Sequence, residues 1–99
     1  MKEEEYYYLE PSYATSGLTT LAGKIVEIAK REYAGAVVSE SGLGRIKDSL
    51  IFNAEALKKE HPRWKSPNIV VYYNDFTKSM HLNIDGWSFV GHRVTGFIH

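Results

Sequence analysis

Ile69-Val70-Val71-Tyr72-Tyr73-Asn74-Asp75-Phe76-Thr77-Lys78-Ser79-Met80-His81-Leu82-Asn83-Ile84-Asp85-Gly86-Trp87-Ser88-Phe89-Val90 decides the fold. Its first five residues are β-branched or aromatic, and Asn74 to Lys78 supply turn residues. Met80, Leu82 and Ile84 then alternate with His81, Asn83 and Asp85, the period of a half-buried strand. Asp85-Gly86 is a strong two-residue hairpin signal. With that turn Ile84 faces Trp87 and Leu82 faces Phe89, so Met80, Leu82, Ile84, Trp87 and Phe89 share one face, the core. His81, Asn83, Ser88, Val90 and His92 take the other face, with Val90 across from His81 and His92 diagonal to it. Gly91 is expected to mark a bulge, after which Arg93 to Ile98 continue the strand.

Upstream the period changes to that of helices. Leu18, Leu21, Ala22, Ile25, Ile28, Ala29 and Tyr33 fall on one helical face, with Lys24, Glu27, Lys30 and Arg31 on the other. Ser16 or Thr15 is the expected cap, and Gly35 suits the stop. Ala36 to Val38 form a short apolar stretch, followed by Ser39-Glu40-Ser41-Gly42. A second helix is expected from about Leu43 or Gly44 to Lys59, its stripe formed by Ile46, Leu50, Ala54 and Leu57. His61-Pro62 ends it. Glu5 to Leu9 have strand composition and Pro11 stops them, giving a candidate N-terminal edge strand. The expected class is therefore α+β: one domain over residues 1–99, two amphipathic helices packed on a three- or four-stranded antiparallel sheet with a C-terminal β-meander.

Composition narrows the function. The 99 residues are 43% hydrophobic and 24% charged, ordinary for a globular chain. Twelve basic residues balance twelve acidic ones, which argues against bulk coating of DNA or an anionic membrane and leaves room for a local basic patch. There is no cysteine, so disulfides, thiolate nucleophiles and cysteine zinc sites are excluded. The acidic start, Met1-Lys2-Glu3-Glu4-Glu5, lacks the apolar stretch of a signal peptide. The longest strand run, Ile69 to Tyr73, is too short to span a bilayer. A cytoplasmic protein with no membrane partner is expected.

Four segments hold residue types suited to chemistry or binding. His81 and His92 on an open sheet face have the residue type for metal binding or proton transfer. A third ligand is wanted, and Asn83, Asp75 and His99 complete no known spacing, so a solvated or partner-facing surface is the favoured reading. Lys58-Lys59-Glu60-His61-Pro62-Arg63-Trp64-Lys65 holds four basic residues and one acid, a local net of +3 with His61 uncharged. Lys58, Lys59, Arg63, Trp64 and Lys65, with Arg45 and Lys47, suit phosphate contact and base stacking; alternatively Trp64 anchors the connection in the core and the lysines end a helix favourably. Ser41-Gly42-Leu43-Gly44-Arg45 has glycines and an arginine ahead of a helix, but the spacing is neither a P-loop nor a dinucleotide fingerprint, so it reads as turn and cap. In the acidic, aromatic N-terminus, Glu3 to Glu10, Tyr6, Tyr7 and Tyr8 either form a recognition surface, as an edge that pairs with a second copy, or lie half buried in the sheet.

No Ser-His-Asp order or paired-carboxylate motif is present, and Asp48, Asp75 and Asp85 lie outside apolar runs. No catalytic residue, metal, cofactor or small-molecule substrate is expected. Glutamine is absent, asparagine occurs four times and tyrosine seven times; with abundant Glu and Lys, this is the bias of heat-adapted proteins.

The length, the lack of Cys and Gln, the Lys-Glu-rich start and tyrosine-rich strands such as Ile69-Val70-Val71-Tyr72-Tyr73-Asn74 make the chain resemble the small proteins of crenarchaeal filamentous and rod-shaped viruses, of the lipothrixvirus and rudivirus type. The resemblance implies a thermostable, acid-tolerant viral protein acting in the host cytoplasm, with no residue roles to carry over. The expected function is a non-enzymatic module acting through protein contacts or self-association at Tyr6, Tyr7, Tyr8, His81, Asn83 and His92. The alternative is nucleic-acid binding through Lys58 to Lys65.

Overall fold

A computed structural model describes residues 5–13 and 17–94. The elements are β1 (Tyr6–Pro11), α1 (Thr20–Tyr33), β2 (Val37–Ser39), α2 (Glu40–Glu60), β3 (Ile69–Asn74), β4 (Ser79–Ile84) and β5 (Trp87–Arg93). They form an α+β fold whose antiparallel sheet has five strands in the order β2-β1-β5-β4-β3, one or two more than the sequence pattern indicates.

The C-terminal meander follows the expected register, with Ile84 opposite Trp87, Leu82 opposite Phe89 and His81 opposite Val90. Asp85 and Gly86 have φ of 49° and 94°, the two positive values of the tight turn that matches strand twist. Side chains lock both turns. Gly86 N donates to Asn83 Oδ1 at 2.9 Å, and Asn68 N donates to Asp85 Oδ1 at 2.8 Å. In the β3–β4 turn Asn74 Oδ1 accepts from Phe76 N and Thr77 N.

β1 is not an edge strand. It lies between β2 and β5, with Tyr7 opposite Val38 on one side and Arg93 on the other. The reason is the stretch after α1: Gly35, at φ +81°, turns the chain, Leu9 N donates to Ala36 O, and the next three residues add β2 alongside β1. Pro11 closes β1 opposite Phe89, as its missing N–H requires. Gly91 is not a bulge either. It sits in register between Leu9 and Met80, where a Cβ would lie 3.1 Å from Tyr7 Cβ and 3.2 Å from the Met80 carbonyl oxygen. The glycine is there because the strands and Tyr7 close over it. The strand ends at Arg93; its expected continuation over residues 95–98 lies outside the described residues.

Both helices begin elsewhere than expected. The cap of α1 is Thr19, whose Oγ1 accepts from Ala22 N; Thr15 and Ser16 lie outside the described residues. α2 starts at Glu40, because Ser39 leaves β2 in an extended conformation and its Oγ accepts from Gly42 N at 3.0 Å. One residue thus ends a strand and caps a helix, and Glu40 in the first turn suits the positive end of the helix dipole.

The two helices cover one face of the sheet. Leu21, Ala22, Ile25, Val26 and Ala29 of α1 and Leu43, Ile46, Leu50 and Ala54 of α2 are buried with Tyr7, Leu9, Ile69, Met80, Leu82, Ile84, Trp87 and Phe89. Trp87 Nε1 donates to Ser12 O at 3.0 Å, so its one polar atom is satisfied.

Candidate functional site

Strand pleating assigns each side chain to the helix-covered face or the uncovered one. From the register, the uncovered face carries Val37 on β2, Tyr6, Tyr8 and Glu10 on β1, Ser88, Val90 and His92 on β5, His81 and Asn83 on β4, and Val70 and Tyr72 on β3. Of the residues named in advance, Tyr6, Tyr8, His81, Asn83 and His92 meet here. Tyr7 does not. It is 4% exposed against 39% for Tyr6 and 45% for Tyr8, because the middle of three consecutive strand residues must face the other way. Its hydroxyl donates to Glu5 Oε1 at 3.4 Å, and burial with the Glu5 carboxylate pushes its phenol pKa up. Tyr7 is a core residue and leaves the interface set.

The polar side chains of this face are held by neighbours. His92 Nε2 lies 2.7 Å from Glu10 Oε1. Asn83 Nδ2 donates to Ser88 Oγ at 2.9 Å while its Oδ1 takes the Gly86 N–H, so Asn83 serves the hairpin. The His81 ring stacks on Tyr72 at 5.0 Å and 6° between planes. Its Nε2 lies 3.0 Å from Ser79 Oγ, which lies 2.5 Å from Thr77 Oγ1. Burial, then the nearby His92, lowers the His81 pKa below the ordinary histidine value, so the imidazole is neutral at pH 7.

A neutral imidazole beside a serine has the elements of a nucleophile pair. Ser79, however, is only 4% exposed, and its oxygen is enclosed between Thr77 and His81. Thr77, Ser79 and His81 thus form a hydrogen-bonded chain of side chains at the start of β4. Among the described residues, no three His, Cys, Asp or Glu side chains converge as a metal-ligand set. Nor does any described helix have the length and apolarity to cross a membrane.

The basic segment lies in the α2–β3 connection. Lys58 Nζ donates to the Trp64 carbonyl, and His61 stacks on the Trp64 ring at 3.7 Å and 11°. Trp64 is half-buried and packs against the core, so one ring face is taken. Lys59, Arg63 and Lys65 are exposed beside an open pocket of about 400 Å³ lined by Glu60, His61, Pro62, Arg63 and Trp64. Arg45 and Lys47 do not join them: Arg45 lies thirteen residues before Lys58 on α2, about 20 Å along the axis. Ser41 to Arg45 are inside α2, not a loop ahead of it, and Gly42 N is already given to Ser39.

Three members of the uncovered face, Val37, Val70 and Tyr72, escaped the reading of candidate sites, as did the pairing of Glu10 with His92. The alternation of Ile69 to Asn74 against Met80 to Ile84 held the signal for Val70 and Tyr72. Glu10 had none, since its partner His92 is 82 residues away. Comparison with protein-family models, curated proteins and solved structures finds no match to this chain.

Proposed function

We propose that the protein is a non-enzymatic binding module that acts through protein contacts, docking on the uncovered face of its sheet. One observation carries this reading. Tyr6, Tyr8, Val37, Val70, Tyr72 and Val90 lie together on a face that no described helix covers, while both helices pack on the other side. Aromatic and β-branched side chains on a rigid sheet give contact area at low entropic cost. The same face carries no Lys or Arg among the described residues, and its Glu10 is matched by His92. A phosphate backbone would find no cation there, which favours a protein partner over nucleic acid.

The test compares two surface variants for proteins retained from a cell extract. Tyr6→Ser/Tyr8→Ser alters the sheet face, and Lys59→Ala/Arg63→Ala alters the connection. A partner lost only with the tyrosine variant, with both variants melting within a few degrees of the parent, supports the reading. A partner lost only with the basic variant overturns it.

The other reading is nucleic-acid contact by Lys58, Lys59, Arg63, Trp64 and Lys65, which the open pocket and the exposed Lys59, Arg63 and Lys65 support. It expects binding in an anisotropy titration that weakens steeply between low and high salt. The resemblance in composition to crenarchaeal virus proteins extends the proposal to a heat-stable viral protein of the host cytoplasm. A melting midpoint above about 90 °C supports that extension, and one near about 50 °C removes it.

A further inference from the structure

The sheet has two edges, and they are built differently. β2 is three residues long and passes directly into α2 through the Ser39 cap. β3 runs six residues, Ile-Val-Val-Tyr-Tyr-Asn, with no charge and no proline. Edge strands of soluble proteins are ordinarily shortened, bulged, or guarded by Lys or Pro. β3 pairs in unbroken register with β4 from Ile69 opposite Ile84 to Asn74 opposite Ser79, so it has no bulge.

Ladder alternation fixes which backbone groups it leaves open. The two-residue turn makes Ile84 and Trp87 a hydrogen-bonded pair, so Ile84 directs its N–H and C=O to β5. Counting along the register, Val70, Tyr72 and Asn74 turn theirs inward to β4. Ile69, Val71 and Tyr73 therefore turn theirs outward, toward the open edge.

We infer that this edge pairs antiparallel with β3 of a second copy, about a twofold axis at Val71, joining two five-stranded sheets into one of ten. The strand is its own complement in this register. Its β-branched half meets its aromatic half: Val70 of one copy lies opposite Tyr72 of the other on the uncovered face, and Ile69 lies opposite Tyr73 on the helix side. Tyr73, 46% exposed in the single chain, gains an apolar neighbour. Such β-branched–aromatic pairs are favoured cross-strand neighbours. Symmetry selects the antiparallel sense: a twofold axis through the sheet at Val71 pairs each copy's strand with the other's in reverse direction, the closed arrangement of a two-copy assembly. Charge is neutral to the choice, since Asp75 after the strand is already taken up by Lys78 at 3.9 Å.

The edge shares Val70 and Tyr72 with the docking face proposed above and adds the outward backbone groups of Ile69, Val71 and Tyr73; the dimer would make the two faces continuous. One strand pair is a small interface, so the expected dissociation constant is on the order of micromolar.

The experiment is analytical ultracentrifugation of the full chain over a concentration series. A monomer–dimer equilibrium is expected. Val71→Pro removes an outward N–H, and with it both bonds of the central pair, and trims a half-buried side chain that packs on the core; it should weaken the dimer about thirtyfold while leaving the far-ultraviolet spectrum unchanged. A second measurement does not depend on that variant's folding. The chain has no native cysteine, and Val70 with Tyr72 forms a non-hydrogen-bonded pair whose Cα spacing suits a disulfide. Mixed Val70→Cys and Tyr72→Cys chains should cross-link on mild oxidation far more than either alone. A chain that stays monomeric at roughly millimolar concentration overturns the inference, as does a Val71→Pro dimer as tight as the parent's, or equal cross-linking in the unmixed samples. Tyr8→Ser should leave the dimer intact, so loss of a captured partner and loss of the dimer are read separately.

Discussion

Tyr6, Tyr7 and Tyr8 are one side-chain type in three consecutive positions, and they meet two different solvents. Tyr7 lies among Leu9, Met80 and the helices; its neighbours look outward over a face with no second layer among the described residues. Backbone pairing alone decides the difference, because pleating sends alternate residues to opposite sides. The covered face holds the fold together and the uncovered face is available for contacts, so equal substitutions on the two should have unequal costs.

The largest expected contrast is within the triplet. Tyr7→Ala should lower stability by about 3 kcal/mol in urea unfolding, since it removes a large buried side chain. Tyr6→Ala and Tyr8→Ala should each cost less than about 1 kcal/mol. Equal losses at all three would dissolve the distinction between the faces. Next is Gly91→Ala, which presses a methyl group against Tyr7 Cβ and the Met80 carbonyl. It should cost about 1–3 kcal/mol by overpacking; because alanine keeps the Cβ that the methyl meets, a double-mutant cycle with Tyr7→Ala should show little coupling.

A smaller effect comes from pH. The folded pKa of His81 lies below its unfolded value of 6.5, so the unfolded chain binds the proton more readily. Stability should therefore fall as pH drops below about 6.5 and level off once the folded pKa is passed. His81→Asn should flatten that part of the profile. The smallest expected change is Glu10→Gln, which weakens an exposed contact with His92 and should shift stability by less than about 1 kcal/mol.

The same contrast explains what the sequence made legible. The pairing of β4 with β5 was readable to the residue because two turn residues fix it. His81 and Asn83 could therefore be placed on the uncovered face with Val90 across from His81. The position of β1 was not readable, since its partners lie tens of residues away and leave no local periodicity. Without that register the three tyrosines could not be divided between faces, and Glu10 could not be matched to His92. β2 is too short to show a period of two. Ser39 hid a helix start because Ser-Glu-Ser-Gly has the composition of a turn, and Trp64 could not be weighed until His61 was seen stacked on it.

The placement of β1 between β2 and β5 also bears on the order of folding. β3, β4 and β5 are neighbours in sequence and joined by short turns, so the meander can close on the microsecond scale of hairpins. β1 can take its place only after a loop of about eighty residues has closed, and loop closure of that length is entropically costly. The central register of the sheet should thus be the last to be set, with β5 a temporary edge until then. Substitutions in β1 should accordingly speed unfolding more than they slow folding, whereas those in the Asp85-Gly86 turn should do the reverse.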